Sequence, residues 1–187
     1  MEIEKNLYKE VEDLMNRSIE ALERDFAKIM ASRVTPELLD PVHVDAYGTS
    51  VPLKQVASII APKPRVLVVE PWDKSLLKEV ERAILKANLG VTPQNDGSVI
   101  TLPFPRLDEE ERKRIVGQVK KMAEEFREEI RAIRRNNVEK LKEMEKNKEI
   151  SEDDKFRMME QVQKLTDKYI KLVDSHTEKK EKEILEV

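Results

Sequence analysis

All nine prolines of this chain lie between Pro36 and Pro105, and both ends are free of them. A proline in a helix interior costs about 3 kcal/mol, because it lacks an amide hydrogen and its ring clashes with the preceding turn. Residues 1–30 and 106–187 are therefore free to form long helices, and the middle is not. Charge divides the chain at the same places. Residues 31–105 carry 8 acidic and 8 basic side chains, while the flanks carry 30 and 27. The expectation is a discontinuous helical domain, 1–30 with 106–187, and a compact domain, 31–105, inserted into it.

Apolar spacing supports three helices in the flanks. The first carries Leu7, Val11, Leu14, Ser18, Leu22 and Ile29, with Met15, Ala21 and Phe26 beside them. A second is expected from about Leu107 to Lys146, with Ile115, Val119, Met122, Phe126, Ile130, Ile133, Leu141 and Met144 inward. At about 1.5 Å per residue it would be roughly 60 Å long. A third starts at Ser151, whose hydroxyl can cap free amides ahead of Glu152-Asp153-Asp154. Its stripe is Met158/Met159, Val162, Leu165, Tyr169, Leu172/Val173 and His176. The short connection 147–150 makes the second and third helices antiparallel neighbours. None of the three can bury its stripe alone, so a three-helix bundle is expected.

The insert reads as mixed strand and helix. Val42–Tyr47, Val56–Ile60, Val66–Val69 and Val99–Leu102 are strand-like, with turns at Gly48 and Asn95-Asp96-Gly97. Ser75–Ala87 reads as a helix, and Thr35-Pro36-Glu37-Leu38-Leu39 as a short helical turn with Pro at its first position. The fold class is therefore α+β: a three-helix bundle with an inserted small β/α/β domain. The two chain crossings lie near Met30–Ser32 and Pro103–Arg106.

Composition removes several functions. The chain has no Cys, so disulfide frameworks, thiol nucleophiles and iron–sulfur sites are excluded. The acidic start reads as no signal peptide, and no run approaches the roughly 18 apolar residues of a membrane span. The four glycines never cluster as a phosphate loop requires. His43 and His176 stand alone, Asp153–Asp154 is explained by a helix cap, and Trp72 reads as a packing residue at a strand-to-helix turn. Neither an enzyme nor a bound metal or cofactor is expected.

One stretch stands apart. Residues 112–142 hold 11 basic and 5 acidic side chains in a chain of net charge -3. Arg127, Arg131, Arg134 and Arg135 fall at i, i+4, i+7 and i+8, on one helix face. Two readings are open. The face can be solvated and laced by Glu–Arg pairs such as Glu124 with Arg127. It can equally be a phosphate-binding stripe, for which the planar guanidinium fork is suited.

Three segments resemble the bacterial ribosome recycling factor family: Tyr47-Gly48-Thr49-x-x-Pro52-Leu53-x-Gln55-x-Ala57-Ser58; Ile130-Arg131-x-Ile133-Arg134-Arg135; and Lys148–Asp154 followed by Gln163–Asp167. Leu89-Gly90-Val91-x-Pro93 and Leu102-Pro103-x-Pro105 add to them. The resemblance runs in order along nearly the whole chain. It implies an L-shaped molecule whose small domain swings on two linkers, with Met30, Ala31, Ser32, Pro105 and Arg106 as the hinge. It implies a cytoplasmic, monomeric, non-enzymatic factor that binds large-subunit rRNA of the ribosome after termination. With elongation factor G and GTP it would help split that ribosome into subunits. It implies rRNA-contacting roles for Arg134, Arg131, Arg127, Arg112 and Arg33, and Arg135 lies on the same face as the first three. No membrane and no small-molecule substrate is implied. The first linker departs from the family's Arg-Thr-Gly-Arg-Ala-x-Pro, reading Met30-Ala31-Ser32-Arg33-Val34-Thr35-Pro36, which predicts a stiffer elbow. Thr101 stands where Arg is common. A helical scaffold for protein partners and an enzyme built on the insert are the alternatives.

Overall fold

The computed structural model describes residues 2–186. Among them are α1 (Glu2–Ala27), β1 (His43–Ala46), β2 (Thr49–Pro52), β3 (Ala57–Lys63), β4 (Val66–Pro71), α2 (Leu77–Lys86), β5 (Gln94–Asn95), β6 (Ile100–Pro103), α3 (Glu109–Lys146) and α4 (Glu152–Leu185). The class is α+β, as the sequence implied. The described chain forms two compact units. One combines residues up to Phe26 with Val116–Glu181, and the other combines Ala27–Ile115 with the chain from Lys182 onward.

The helical unit is built from three amphipathic stripes. Leu7, Val11, Met15, Ile19, Leu22 and Phe26 of α1 are buried. So are Val119, Ala123, Phe126, Ile130 and Leu141 of α3, and Met158, Val162, Leu165, Tyr169 and Val173 of α4. The stripes also bury polar residues. Thr166 and Thr177 satisfy their hydroxyls on the carbonyls of Val162 and Val173, at 2.8 and 2.7 Å. Asn137 donates to the Ile133 carbonyl at 2.8 Å. Tyr169 donates to Asn16 at 2.7 Å and Ser18 to Glu129 at 2.8 Å, so polar groups cross the helix faces in pairs.

Helix ends follow their caps. Asp108 accepts from the Glu111 amide at 2.8 Å while Glu111 accepts back from the Asp108 amide at 3.1 Å. Ser151 and Asp154 make the same reciprocal pair at the start of α4, at 3.1 and 3.3 Å. Each pair satisfies two orphan amides of the first turn. Lys148 takes a left-handed conformation (φ 62°), and the Glu149 amide reaches the Met144 carbonyl at 2.9 Å, which ends α3 in a Schellman turn.

The second unit holds an antiparallel sheet in the order β3-β4-β6-β5 and a separate β1–β2 hairpin. Leu67, Val69, Ile100 and Leu102 of the sheet meet Val44, Leu53, Val80 and Ile84 in one core. The sequence had Gly48 as a turn but neither β2 nor β5 as a strand. Ala46 pairs with Thr49 across two residues of positive φ, Tyr47 (51°) and Gly48 (81°), which is the backbone of a type I′ hairpin. Nothing lies within 4 Å of a Cβ built on Gly48, so Gly48→Ala costs backbone strain alone. We expect a loss of about 1 kcal/mol, read from the urea midpoint.

Trp72 corrects an expectation. It is 67% exposed rather than packed. The turn uses its backbone, with the Trp72 amide on the Val56 carbonyl at 3.1 Å, while Asp73 caps the following helical turn through the Ser75 amide at 2.9 Å.

Candidate functional site

The arginine face of α3 exists as a helical stripe, but its charges are not equally free. Arg127 bonds Asp174 at 2.8 Å and Glu124 at 2.9 Å. Burial opposes its charge, yet the Asp174 and Glu124 hydrogen bonds outweigh it, and its pKa is raised. Arg131 bonds Glu128 at 2.5 Å and Glu124 at 3.0 Å. Its pKa is raised by those same two carboxylates, and that of Glu124 is lowered by Arg131 and then Arg127. Arg135 is exposed and lies 3.9 Å from Glu128. Arg134 differs: it donates to a neutral amide, the Gln163 Oε1, at 3.1 Å. A half-buried guanidinium held by a neutral group keeps its full charge toward an incoming anion. The Glu–Arg lacing of the first reading is present at Arg127 and Arg131, while Arg134 bonds a neutral amide instead.

Arg33 and Arg112 lie elsewhere, in the second unit. Together with Arg65 and Arg106 they line a cleft of about 290 Å³, with Glu186 the one lining carboxylate among the described residues. Among the described residues the side chains of Arg33, Arg106 and Arg112 have no hydrogen-bond or ion-pair partner. Four guanidiniums around one cleft make a concentrated positive potential in a chain of net charge -3.

The hinge residues of the sequence reading also fall in this unit. Met30 is half-buried against its core, Ala31 is buried, and Pro105 and Arg106 are exposed. Ser32 is tied to the end of α4. Its amide donates to the Glu183 carbonyl at 3.2 Å, and its hydroxyl to the carbonyls of Ile184 at 3.4 Å and Glu186. Those carbonyls belong to a helix C-terminus, which otherwise leaves acceptors unsatisfied. Arg65 was missed by sequence reasoning. It stands outside any helical stripe, and its partners lie far away in the chain.

The remaining polar candidates have close partners. His43 Nδ1 lies 3.1 Å from the Pro41 carbonyl, and His176 Nε2 lies 3.3 Å from Glu23. Asp154 is occupied as a cap and by Arg157 at 2.8 Å. Among the described residues no cluster of His, Asp or Glu could hold a metal, and no helix is long and apolar enough to cross a membrane.

Comparison with known proteins gives one answer. A family model described as ribosome recycling factor matches residues 22–185. The ribosome-recycling factor of Carboxydothermus hydrogenoformans is 50% identical over 182 residues, covering 97% of this chain and 98% of the relative. That of Caldicellulosiruptor bescii is 52% identical over 176 residues, covering 94% and 96%. A solution structure of the ribosome recycling factor superposes with a TM-score of 0.78 at 36% identity, over 98% of both chains. A second solved structure, 43% identical with a TM-score of 0.68, covers 98% of this chain and 99% of its own. It is described as models for the Thermus thermophilus ribosome recycling factor and the Escherichia coli elongation factor G bound to the Escherichia coli post-termination complex.

Proposed function

Because this chain belongs to the ribosome recycling factor family, we propose that it binds the ribosome left after termination and, with elongation factor G, promotes its separation into subunits. It is a cytoplasmic translation factor and not an enzyme. GTP hydrolysis belongs to its partner. The observation that carries this reading is likeness over nearly the full length, to relatives at about half identity and to a factor placed with elongation factor G on a post-termination complex.

The residues that do the work are our assignment. Arg134, Arg131, Arg127 and Arg135 of α3, and Arg33 and Arg112 of the cleft, contact rRNA. The contacts are with phosphates and sugars of a folded RNA, so recognition rests on shape and backbone charge rather than on base sequence. Arg127 and Arg131 already have carboxylate partners, which hold the two forks in place but weaken their pull on phosphate. Arg134, whose partner is neutral, contributes more. Met30, Ala31, Ser32, Pro105 and Arg106 form the hinge, and 1–30 with 106–187 against 31–105 are the bodies it joins. Held phosphate contacts fix one body, and movement at the hinge, driven by elongation factor G, breaks contacts between the ribosomal subunits.

The test is co-sedimentation with purified empty ribosomes across a salt series. Binding should weaken as salt rises, because phosphate contacts release counterions. Arg134→Ala should weaken it about tenfold, the loss of one charge-assisted hydrogen bond, with an unchanged melting temperature. Parent-like affinity in Arg134→Ala would remove Arg134 from the interface. No binding by the folded parent at low salt would overturn the functional reading itself.

A further inference from the structure

The turn between β3 and β4 is Pro64–Arg65, and it grips both linkers. The Pro64 carbonyl accepts from the Val34 amide at 2.7 Å, and the Arg65 carbonyl accepts from the Phe104 amide at 2.8 Å. The Arg65 guanidinium adds three contacts. Its Nη1 donates to the carbonyls of Ala31 at 2.6 Å and Ser32 at 3.0 Å, and its Nη2 donates to that of Pro105. Two consecutive residues thus hold the chain entering this unit and the chain leaving it. Arg65 does so at a cost. Burial and then the neighbouring Arg106 charge lower its pKa, and its Nε is buried without a partner among the described residues.

We propose that Arg65 is a positioning residue for ribosome recycling: a clasp that fastens both linkers to one point, so that they bend together and not separately. Two free linkers would each rotate about their own φ and ψ, and the small domain could tilt in many directions. Within the hinge, Ala31, Ser32 and Pro105 are tied to one another through one guanidinium and its own turn, so the two linkers turn together, with Met30 and Arg106 at their outer ends. Force from the GTPase goes into one rotation instead of being dissipated among many. The chemistry needs arginine. Its planar fork presents several N–H groups in fixed directions, enough to span carbonyls of two chain segments, whereas lysine offers one mobile point. The functional half of this proposal rests on the recycling reading above. The structural half does not.

The full chain is tested with Arg65→Ala and Arg65→Lys. Arg65 lies outside the apolar core of its unit, so both variants should fold, with circular dichroism as the control. Amide exchange at Val34 and Phe104 should speed up about tenfold in both, because their acceptors sit in the turn that the guanidinium anchors. In the ribosome assay, Arg65→Lys, which keeps the charge of the cleft, should change the factor concentration giving half-maximal splitting less than about twofold, while the splitting rate at saturating factor, elongation factor G and GTP falls roughly fivefold or more in both variants. Parent-like exchange at both amides would overturn the clasp. So would a loss confined to ribosome affinity with an intact saturated rate, since Arg65 would then be an RNA contact. If the parent itself does not split ribosomes, the recycling reading and the functional half fail together, and amide exchange still decides the structural half.

Discussion

Tyr169→Ala should remove about 3–5 kcal/mol of stability from the helical unit, the largest loss we expect from any single truncation. Tyr169 is 2% exposed and heads the fully buried side chains by size. Its ring fills the space between α4 and the neighbouring stripes, and its hydroxyl donates to Asn16 on α1 at 2.7 Å. Truncation leaves a cavity too large for the long helices to close. Tyr169→Phe separates the two contributions. It keeps the ring and removes only the hydrogen bond, so it should cost about 1 kcal/mol. Asn16 is exposed, so water can replace the lost partner and the cost should sit at the low end. Urea unfolding of the three proteins measures both. Equal losses in Tyr169→Ala and Tyr169→Phe would mean that the hydrogen bond, and not the ring, holds the site.

The second large effect is on binding. Arg33→Ala combined with Arg112→Ala should weaken ribosome affinity about a hundredfold, close to 3 kcal/mol. Neither side chain has a partner among the described residues, so the double variant should fold within about 0.5 kcal/mol of the parent. A side chain that does nothing for the fold, and whose charge faces three other guanidiniums, is costly to keep unless an anion visits. Arg82→Ala is the control, because Arg82 is an exposed arginine whose ion-pair partner among the described residues is Glu79 on its own helix. It should bind as the parent does. If the double variant also bound as the parent does, the cleft would not be part of the RNA interface.

The helices were legible in the sequence because two independent signals agree on them, the absence of proline and an apolar period near 3.6. What that period hid is what the stripes bury besides carbon. Asn137, Thr166 and Thr177 are polar and add nothing to an apolar period, yet each returns a hydrogen bond to the carbonyl four residues back and so can be buried without a distant partner. The stripe missed Ala123 for a different reason, since alanine carries little periodic signal but sits where helices approach closely. β2 was invisible because Thr49-Ser50-Val51-Pro52 is half polar and ends in proline. Only its pairing to β1 through a tight turn makes it a strand. At the site, the helical spacing of Arg127, Arg131 and Arg134 was readable, but their different partners were not, because Asp174 and Gln163 come from another helix. Arg65 was wholly silent. Its three acceptors lie 33, 34 and 40 residues away, and backbone carbonyls have no side-chain signature to search for.

The helical unit takes its first helix from one end of the chain and the rest from the other, and that fixes an order of events during synthesis. α1 leaves the peptidyl-transferase exit first, with Leu7, Val11, Met15, Leu22 and Phe26 all waiting for partners that begin at Val116. At about 5–20 residues per second, Ala27–Ile115 takes roughly 5–20 s to make. Throughout that interval the second unit can begin to collapse on its own core, while α1 carries a sticky apolar face with nothing to cover it. The segment made first is completed last, so in the cell the nascent chain's hazard is concentrated in its opening residues, where a chaperone would find its best handle.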